Sequence, residues 1–195
     1  MAPSMTEPSD ILREEHEVIE HLLHVLGAMA TRVDHGEAVA RTDVDDALEV
    51  VVNFADKCHH AKEEKALFPV LRRVSPHEGA DLVHRLEGDH AAGRHLVAAL
   101  RSEAQALEPG EATTRTQFAK DARSYVALLT QHIDVETKQL LPLIDRVLPA
   151  KERAALAAEF DRIEREETGA GLHEKYEGTI HRLAGRYVHA APRAH

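Results

Sequence analysis

An imidazole and a carboxylate four residues apart on a helix share one face, roughly 5–6 Å apart at Cβ. This chain carries such a His-x-x-x-Glu pair twice, at His59/Glu63 and at His132/Glu136. The surrounding stretches, HHAKEEKALFPVL from His59 and HIDVETKQLLPLI from His132, also match at Lys65/Lys138, Leu67/Leu140 and Pro69/Pro142. Two such pairs facing each other are what a binuclear iron or manganese site requires. A second match lies upstream, between LREEHEVIEHLL from Leu12 and LEGDHAAGRHLV from Leu86. It sets Glu15 against Asp89, His16 against His90 and His21 against His95. The offset is 73 residues in the first match and 74 in the second, a loop difference of one residue. The chain therefore reads as two similar halves, each a helix with one central histidine followed by a helix with His-x-x-x-Glu. His60 and Glu64 have the same spacing, but Ile133 and Thr137 occupy those places in the second half, so the repeat selects His59 and Glu63.

A single inward histidine is commonly a hydrogen-bonded core residue, and a single i,i+4 His–Glu pair is commonly a solvated one of a few tenths of a kcal/mol. Duplication in register is what favours metal. Two glutamates and four histidines converging on a helical core are intolerable without a cation, because a buried unpaired carboxylate costs several kcal/mol or is forced neutral. A metal pair resolves this, with Glu63 and Glu136 bridging and His16, His59, His90 and His132 completing the coordination. Imidazole with carboxylate suits iron, manganese and zinc, and a carboxylate-bridged pair in a helical bundle suggests iron or manganese.

Four helices must position these groups. Ser9 is the expected N-cap of the first, which runs to about His35 with Gly36 as its stop. Thr42 with Asp45 forms a weak capping box for a second helix to about Val74, and Ser75-Pro76-His77-Glu78 is a stronger start for a third. The third ends at Pro109-Gly110, and the fourth runs from Thr113 or Thr114 to before Pro149. Pro69 and Pro142 are expected to kink or end their helices, each six residues past the glutamate. Apolar residues flank the candidates at helical spacing: Leu12, Ile19 and Leu23 around His16, Leu86 and Val97 around His90, Leu128 and Val135 around His132. Around His59 the stripe is Val52, Ala55, Ala66 and Val70, with Lys62 intruding. A charged helix over 150–167, a break at Gly169 and Gly171, and a last helix over Leu172 to Val188 complete the chain. The fold class is all-α, an up-down-up-down four-helix bundle over 1–149 with a C-terminal helical extension over 150–195 packing on it.

The net charge of −10 argues against nucleic acid. One cysteine excludes an intrachain disulfide framework and fits a reducing compartment. MAPSMTEPSD has neither the basic nor the apolar region of a secretory signal, and no apolar run approaches the ~20 residues of a membrane span. A cytoplasmic protein that binds neither nucleic acid nor membrane is expected. Among its 15 histidines, His35, His77, His181, His189 and His195 read as solvated or helix-end residues, and His21 and His95 as flank residues.

The order His, His-x-x-x-Glu, His, His-x-x-x-Glu, together with HHAKEEKALFP, resembles the hemerythrin-like (HHE cation-binding) family over residues 10–147, about 70% of the chain. The resemblance implies a non-haem di-iron centre with His16, His59, Glu63, His90, His132 and Glu136 as ligands. It implies two iron ions, Fe2+ or Fe3+, bridged by both glutamates and an oxo or hydroxo group, with manganese or zinc as substitutes. The chain departs from the oxygen-carrying members: Arg94 stands at i+4 from His90 where they carry histidine, and Glu136 is at i+4 where they carry aspartate at i+5. Both departures point to the bacterial branch associated with stress response and iron sensing. A missing histidine leaves a coordination position for solvent or an added ligand, with Glu20 and His173 as further candidate ligands. The segment from Gly171 to Tyr176 resembles a His-Glu-x-Tyr element of some members. Tyr125 is a candidate neighbour of the site, and Cys58 reads as a small buried residue.

The implied activity is reaction with peroxide or nitric oxide, catalase-like or stress-protective, with O2, NO or H2O2 as the small partner. The alternative is a sensor of O2, iron or NO, or a reversible O2 binder, without turnover. A ferritin-like oxidase would use Glu-x-x-His, present at Glu87/His90 and, more weakly, as Asp56/His59, but the single glutamates it also needs are missing. A metal-free helical module leaves the duplicated pairs unexplained.

Overall fold

The computed structural model describes residues 7–107, 112–167, 169 and 171–189. The expectations for Pro109-Gly110, for His195 and for the start of MAPSMTEPSD lie outside them. Among the described residues the regular structure is helical: α1 Pro8–Asp34, α2 over 41–74, α3 Glu78–Gln105, α4 over 112–147, α5 Ala150–Glu167 and α6 Leu172–Tyr187. The four long helices α1 to α4 pack as a bundle, as the two-half reading predicts. None of the described helices is long and apolar enough to cross a membrane.

Local chemistry sets the ends. α1 starts at Pro8, one residue before the expected cap, with Glu7 extended at φ −74°, ψ 146°. Proline presets the first helical φ and lacks an N–H that would go unpaired there. Ser9 Oγ instead donates to Asp145 Oδ1 on α4 at 2.7 Å. The stop at Gly36 is as predicted, with φ +72°. Its N–H bonds Val33 O, and the Glu37 N–H reaches back to Arg32 O at 2.8 Å, the paired closure that a left-handed glycine permits. Thr42 caps nothing: α2 starts at Arg41 after Ala40, with no side-chain cap. Ser75 is not the N-cap either: α3 starts at Glu78 after His77, with Pro76 still outside the helix, although Ser75 Oγ accepts the Gly79 N–H at 3.2 Å.

Pro69 and Pro142 do not end their helices, which continue to Val74 and Val147. Immediately before each, the helix widens into a π turn, over Glu63–Leu67 and over Glu136–Leu140. In these turns the Phe68 N–H bonds Glu63 O, and the Leu141 N–H bonds Glu136 O, five residues back. A proline in an α-helix fails because it has no N–H for the carbonyl four residues back and its ring strikes that carbonyl. The wider turn shifts that carbonyl and absorbs the fault. A further π segment, Val51–His60, runs into the first pair and includes His59.

The buried apolar residues fall into two clusters. One gathers Ile19 to Val33 of α1, Phe54 and Ala55 of α2, Leu100 of α3, Phe118 and Leu129 of α4, and Tyr176, Ile180 and Leu183 of α6. The other gathers Leu12, Phe68 and Leu71, Leu86, Leu140 and Ile144, and Phe160 and Ile163 of α5. Both C-terminal helices thus contribute to the interior, where each such buried side chain adds about 1.5–3 kcal/mol. Asp43 ties α6 to α2, accepting from Tyr187 Oη at 2.6 Å and from Arg182 Nη1 at 2.9 Å. Between the two apolar clusters lies a single polar layer.

Candidate metal centre

That layer is made of His16 on α1, His59 and Glu63 on α2, His90 on α3, and His132 and Glu136 on α4, none more than 3% exposed. The i,i+4 spacing stacks each glutamate over its histidine, and the π turns begin at the glutamates themselves. Donor atoms of Glu63, His90, His132 and Glu136 converge within 4.8 Å of one another, as do those of His16, His59 and Glu136. The two groups share Glu136.

All four rings face the same way with respect to this centre. His16 Nε2 lies 3.0 Å from Glu136 Oε2, and His132 Nε2 lies 2.9 Å from Glu136 Oε1. His59 Nε2 stands 3.9 Å from Glu63 and 3.8 Å from Glu136. His90 Nε2 is 3.3 Å from Glu63 Oε2 and 3.2 Å from His132 Nε2. The outer nitrogens are held from behind. His59 Nδ1 donates to Glu15 Oε2 at 2.9 Å and His90 Nδ1 to Glu64 Oε1 at 2.7 Å. His132 Nδ1 reaches Asp89 Oδ2 at 3.5 Å, and His16 Nδ1 meets Thr137 Oγ1 at 3.3 Å. Carboxylates accept, so Nδ1 carries a proton on three of these rings, and Nε2 is the nitrogen that would offer a lone pair inward once the ring is neutral. This is the arrangement that orients an imidazole as a metal ligand. It also follows the repeat: Glu15 and Asp89 are matched positions, and so are Glu64 and Thr137.

The electrostatics of the centre are unbalanced. Both oxygens of Glu63, Oε1 of Glu136 and Nε2 of His59 are buried without a hydrogen-bond partner among the described residues. Burial and the facing Glu136 push the Glu63 carboxyl up. Burial opposes the Glu136 charge as well, but His132, His16 and His59 hold that carboxyl well below its usual range. Burial likewise opposes a charge on His59 and His90, yet the surrounding carboxylates raise them to about 10 and about 9. Protons therefore stand in for missing positive charge. A cationic pair fits these residues: it would take up the unpartnered oxygens and displace those protons.

Outside this shell, Lys62 is fully buried and donates to Glu15 and, at 2.6 Å, to Glu164 Oε2 of α5. Burial works against the Glu15 charge, but His59 and Lys62 hold it down to about 2. Cys58 is buried beside them, its thiol pushed up to about 12 by burial and by Glu15, so it stays protonated. Arg94, at the place of the absent histidine, donates to Asp56 Oδ1 at 2.8 Å and to Glu64 Oε1 at 2.9 Å.

The remaining candidates lie elsewhere. Glu20 is exposed. His173 packs edge-on against Phe54 at 5.0 Å, 3.4 Å from Glu177, and belongs to no donor cluster among the described residues. Tyr125 is buried and lines a cavity that also reaches His60 and His90. His21, His95, His35, His77, His181 and His189 are exposed. Sequence reasoning missed Glu15, Glu64 and Asp89 as partners of the rings, although the repeat aligned Glu15 with Asp89. It also missed His60, which is buried and stacks on His90 with centroids 3.9 Å apart.

Comparison with known proteins agrees with this geometry. The chain is 22% identical over 157 residues to uncharacterised proteins of Mycobacterium bovis and Mycobacterium tuberculosis. The matches cover 80% of this chain and 60% of each relative, so the chain spans about 60% of their length. No solved structure matches it significantly. The profile of the hemerythrin HHE cation binding domain matches residues 7–144. With that match over most of its length, and with the duplicated His-x-x-x-Glu pairs brought face to face in a helical bundle, the chain belongs to the hemerythrin HHE cation-binding domain family.

Proposed function

We propose that the chain holds two iron ions between His16, His59, Glu63, His90, His132 and Glu136 and reacts with peroxide or nitric oxide in stress protection. The observation that carries this reading is the common orientation of the four rings, Nε2 inward and Nδ1 held outside, around carboxylate oxygens that lack partners. When bound, the iron pair would supply Lewis acidity and one electron per ion. The protein's own contribution is positional. Glu136 belongs to both donor groups, Glu63 Oε2 stands 3.9 Å from His59 Nε2 of the other, and the outer acids fix the tautomers of the rings. Apolar clusters on both sides exclude bulk water. Arg94, at the place of the absent histidine, binds two outer acids instead of entering the centre.

The test is oxygen evolution from hydrogen peroxide by iron-loaded protein, with the near-ultraviolet spectrum recorded alongside, on wild type and on Glu63→Ala. Gas release by wild type, lost together with binuclear loading in the variant, is the expected outcome. A Glu63→Ala protein that keeps two irons per chain would sink the ligand assignment.

A second reading, a sensor without turnover, is favoured by one observation. Glu164 of α5 is linked through Lys62 and Glu15 to His59 Nδ1, so the C-terminal helices are wired to the centre. A spectrum that shifts with peroxide or nitric oxide without gas release would select it.

A further inference from the structure

A second set of imidazoles and carboxylates meets on the surface, where α6 packs on α1. Ile180 and Leu183 of α6 share an apolar cluster with Ile19 and Leu22 of α1. Beside that contact each helix carries Glu-x-x-x-His, as Glu17/His21 on α1 and Glu177/His181 on α6, the reverse order of the buried pairs. The spacing puts each glutamate and its histidine on one helix face. Both pairs line one cavity of about 370 Å3 in the seam, together with Val18 and Ile180. All four side chains are exposed. Glu17, His21 and His181 have no hydrogen-bond or ion-pair partner among the described residues, and Glu177 meets His173 at 3.4 Å.

Two features separate this seam from an ordinary solvated surface. The first is charge. Glu14 lines the same cavity, so three carboxylates gather on its wall, with no lysine or arginine among the described residues that line it. Exposed acids elsewhere meet a cation, as Glu78 meets Arg146, Glu87 meets Arg72 and Glu152 meets Arg73. A cleft lined by one sign of charge concentrates counter-ions. The second feature is position. In the other half of the repeat Gly88, Ala91 and Ala98 stand where α1 has Glu14, Glu17 and His24, and His95 alone remains as the match of His21. The extra donors therefore belong to the half of the bundle that α6 covers. A smaller cavity along the seam is again lined by His21 and His181 and adds His24 and His189.

We propose that the α1–α6 seam binds a divalent first-row transition cation through Glu17, His21, Glu177 and His181. Two imidazoles and two carboxylates suit zinc, which takes four nitrogen or oxygen ligands in a tetrahedron. The exposed side chains close on the ion by changing rotamer, at a cost in side-chain entropy, and the bound ion clamps α6 to α1. The site shares no ligand with the buried centre. The test is zinc bound per full-length chain in equilibrium dialysis, for wild type, for the double variant His21→Ala/His181→Ala, and for His95→Ala. All three positions are exposed, so the replacements leave the core intact. Wild type should bind one zinc more than the double variant, and His95→Ala should match wild type. Excess zinc should slow proteolysis of α6 in wild type but not in the double variant. Equal counts in wild type and double variant would overturn the inference and leave the buried centre standing. A loss of the same size in His95→Ala would also overturn it, marking a general affinity of exposed histidines. One zinc in wild type and none in the double variant would uphold the seam and overturn the buried centre.

Discussion

At the residue scale the centre works by facing imidazoles inward and holding them from outside. Glu15, Glu64, Asp89 and Thr137 supply that hold, and the four form two matched pairs of the repeat. Removing such an outer partner commonly lowers metal affinity about 10–100-fold. Glu15→Gln is therefore expected to lose affinity in that range, read by competition with a chelator, while the fold persists. The six central residues were legible because duplication separates the His59 register from the His60 register. Glu15 was not legible, because an acid next to His16 reads as an exposed flank until α2 brings His59 and Lys62 onto it. Glu20 failed for the converse reason: it has the right spacing from His16 but points to solvent. Protonation gives a second expectation at this scale. A histidine whose pKa is higher folded than unfolded adds stability that is complete below its unfolded value and lost as pH rises through its folded one. With His59 and His90 raised from 6.5 to about 10 and about 9, metal-free protein should become less stable from near pH 6.5 upward. Raised Glu63 acts in the same direction. Thermal melts between pH 6 and 10 should show this decline in metal-free protein and little of it once metal has replaced the protons. A flat metal-free profile would contradict it.

At the element scale, helix existence and order were readable from periodicity and from Gly36, Ser75, Gly169 and Gly171. The effect of the prolines was not. Pro69 and Pro142 read as breaks under α-helical geometry, and the pattern of apolar residues does not report a change from four-residue to five-residue hydrogen bonding. The widened turns start at the two glutamates that face each other, so the irregular backbone and the chemistry coincide. The link from α5 to the centre was equally hidden, because Lys62 looked like an intrusion on a buried face. Its charge is tolerated only because Glu15 and Glu164 both accept from it. Glu164→Ala removes one of them and unhooks α5. Limited proteolysis should then cut near α5 faster, and metal loading should no longer protect it. Equal cleavage with and without metal in wild type would count against coupling between the C-terminal helices and the site.

At the scale of the whole molecule, a polar layer lies between two apolar clusters, and the C-terminal helices belong one to each: α6 to the cluster of Phe54 and Phe118, α5 to that of Phe68 and Ile144. The bundle was legible from the repeat. Packing of the extension on the bundle was expected, but its share in both apolar clusters was not legible, since 150–167 reads as highly charged and shows only Leu156, Phe160 and Ile163 to the interior. What such a molecule must do first is bind metal, because Glu63 and Glu136 are otherwise two carboxylates buried together with unpartnered oxygens. The most direct measurement is anaerobic titration of metal-free protein with ferrous iron, followed by metal content per chain after desalting. Two irons retained per folded chain, with proton release on loading as His59 and His90 give up their charge, is the expected result. Folded protein that retains no stoichiometric iron, manganese or zinc would contradict it and leave the paired glutamates without a function.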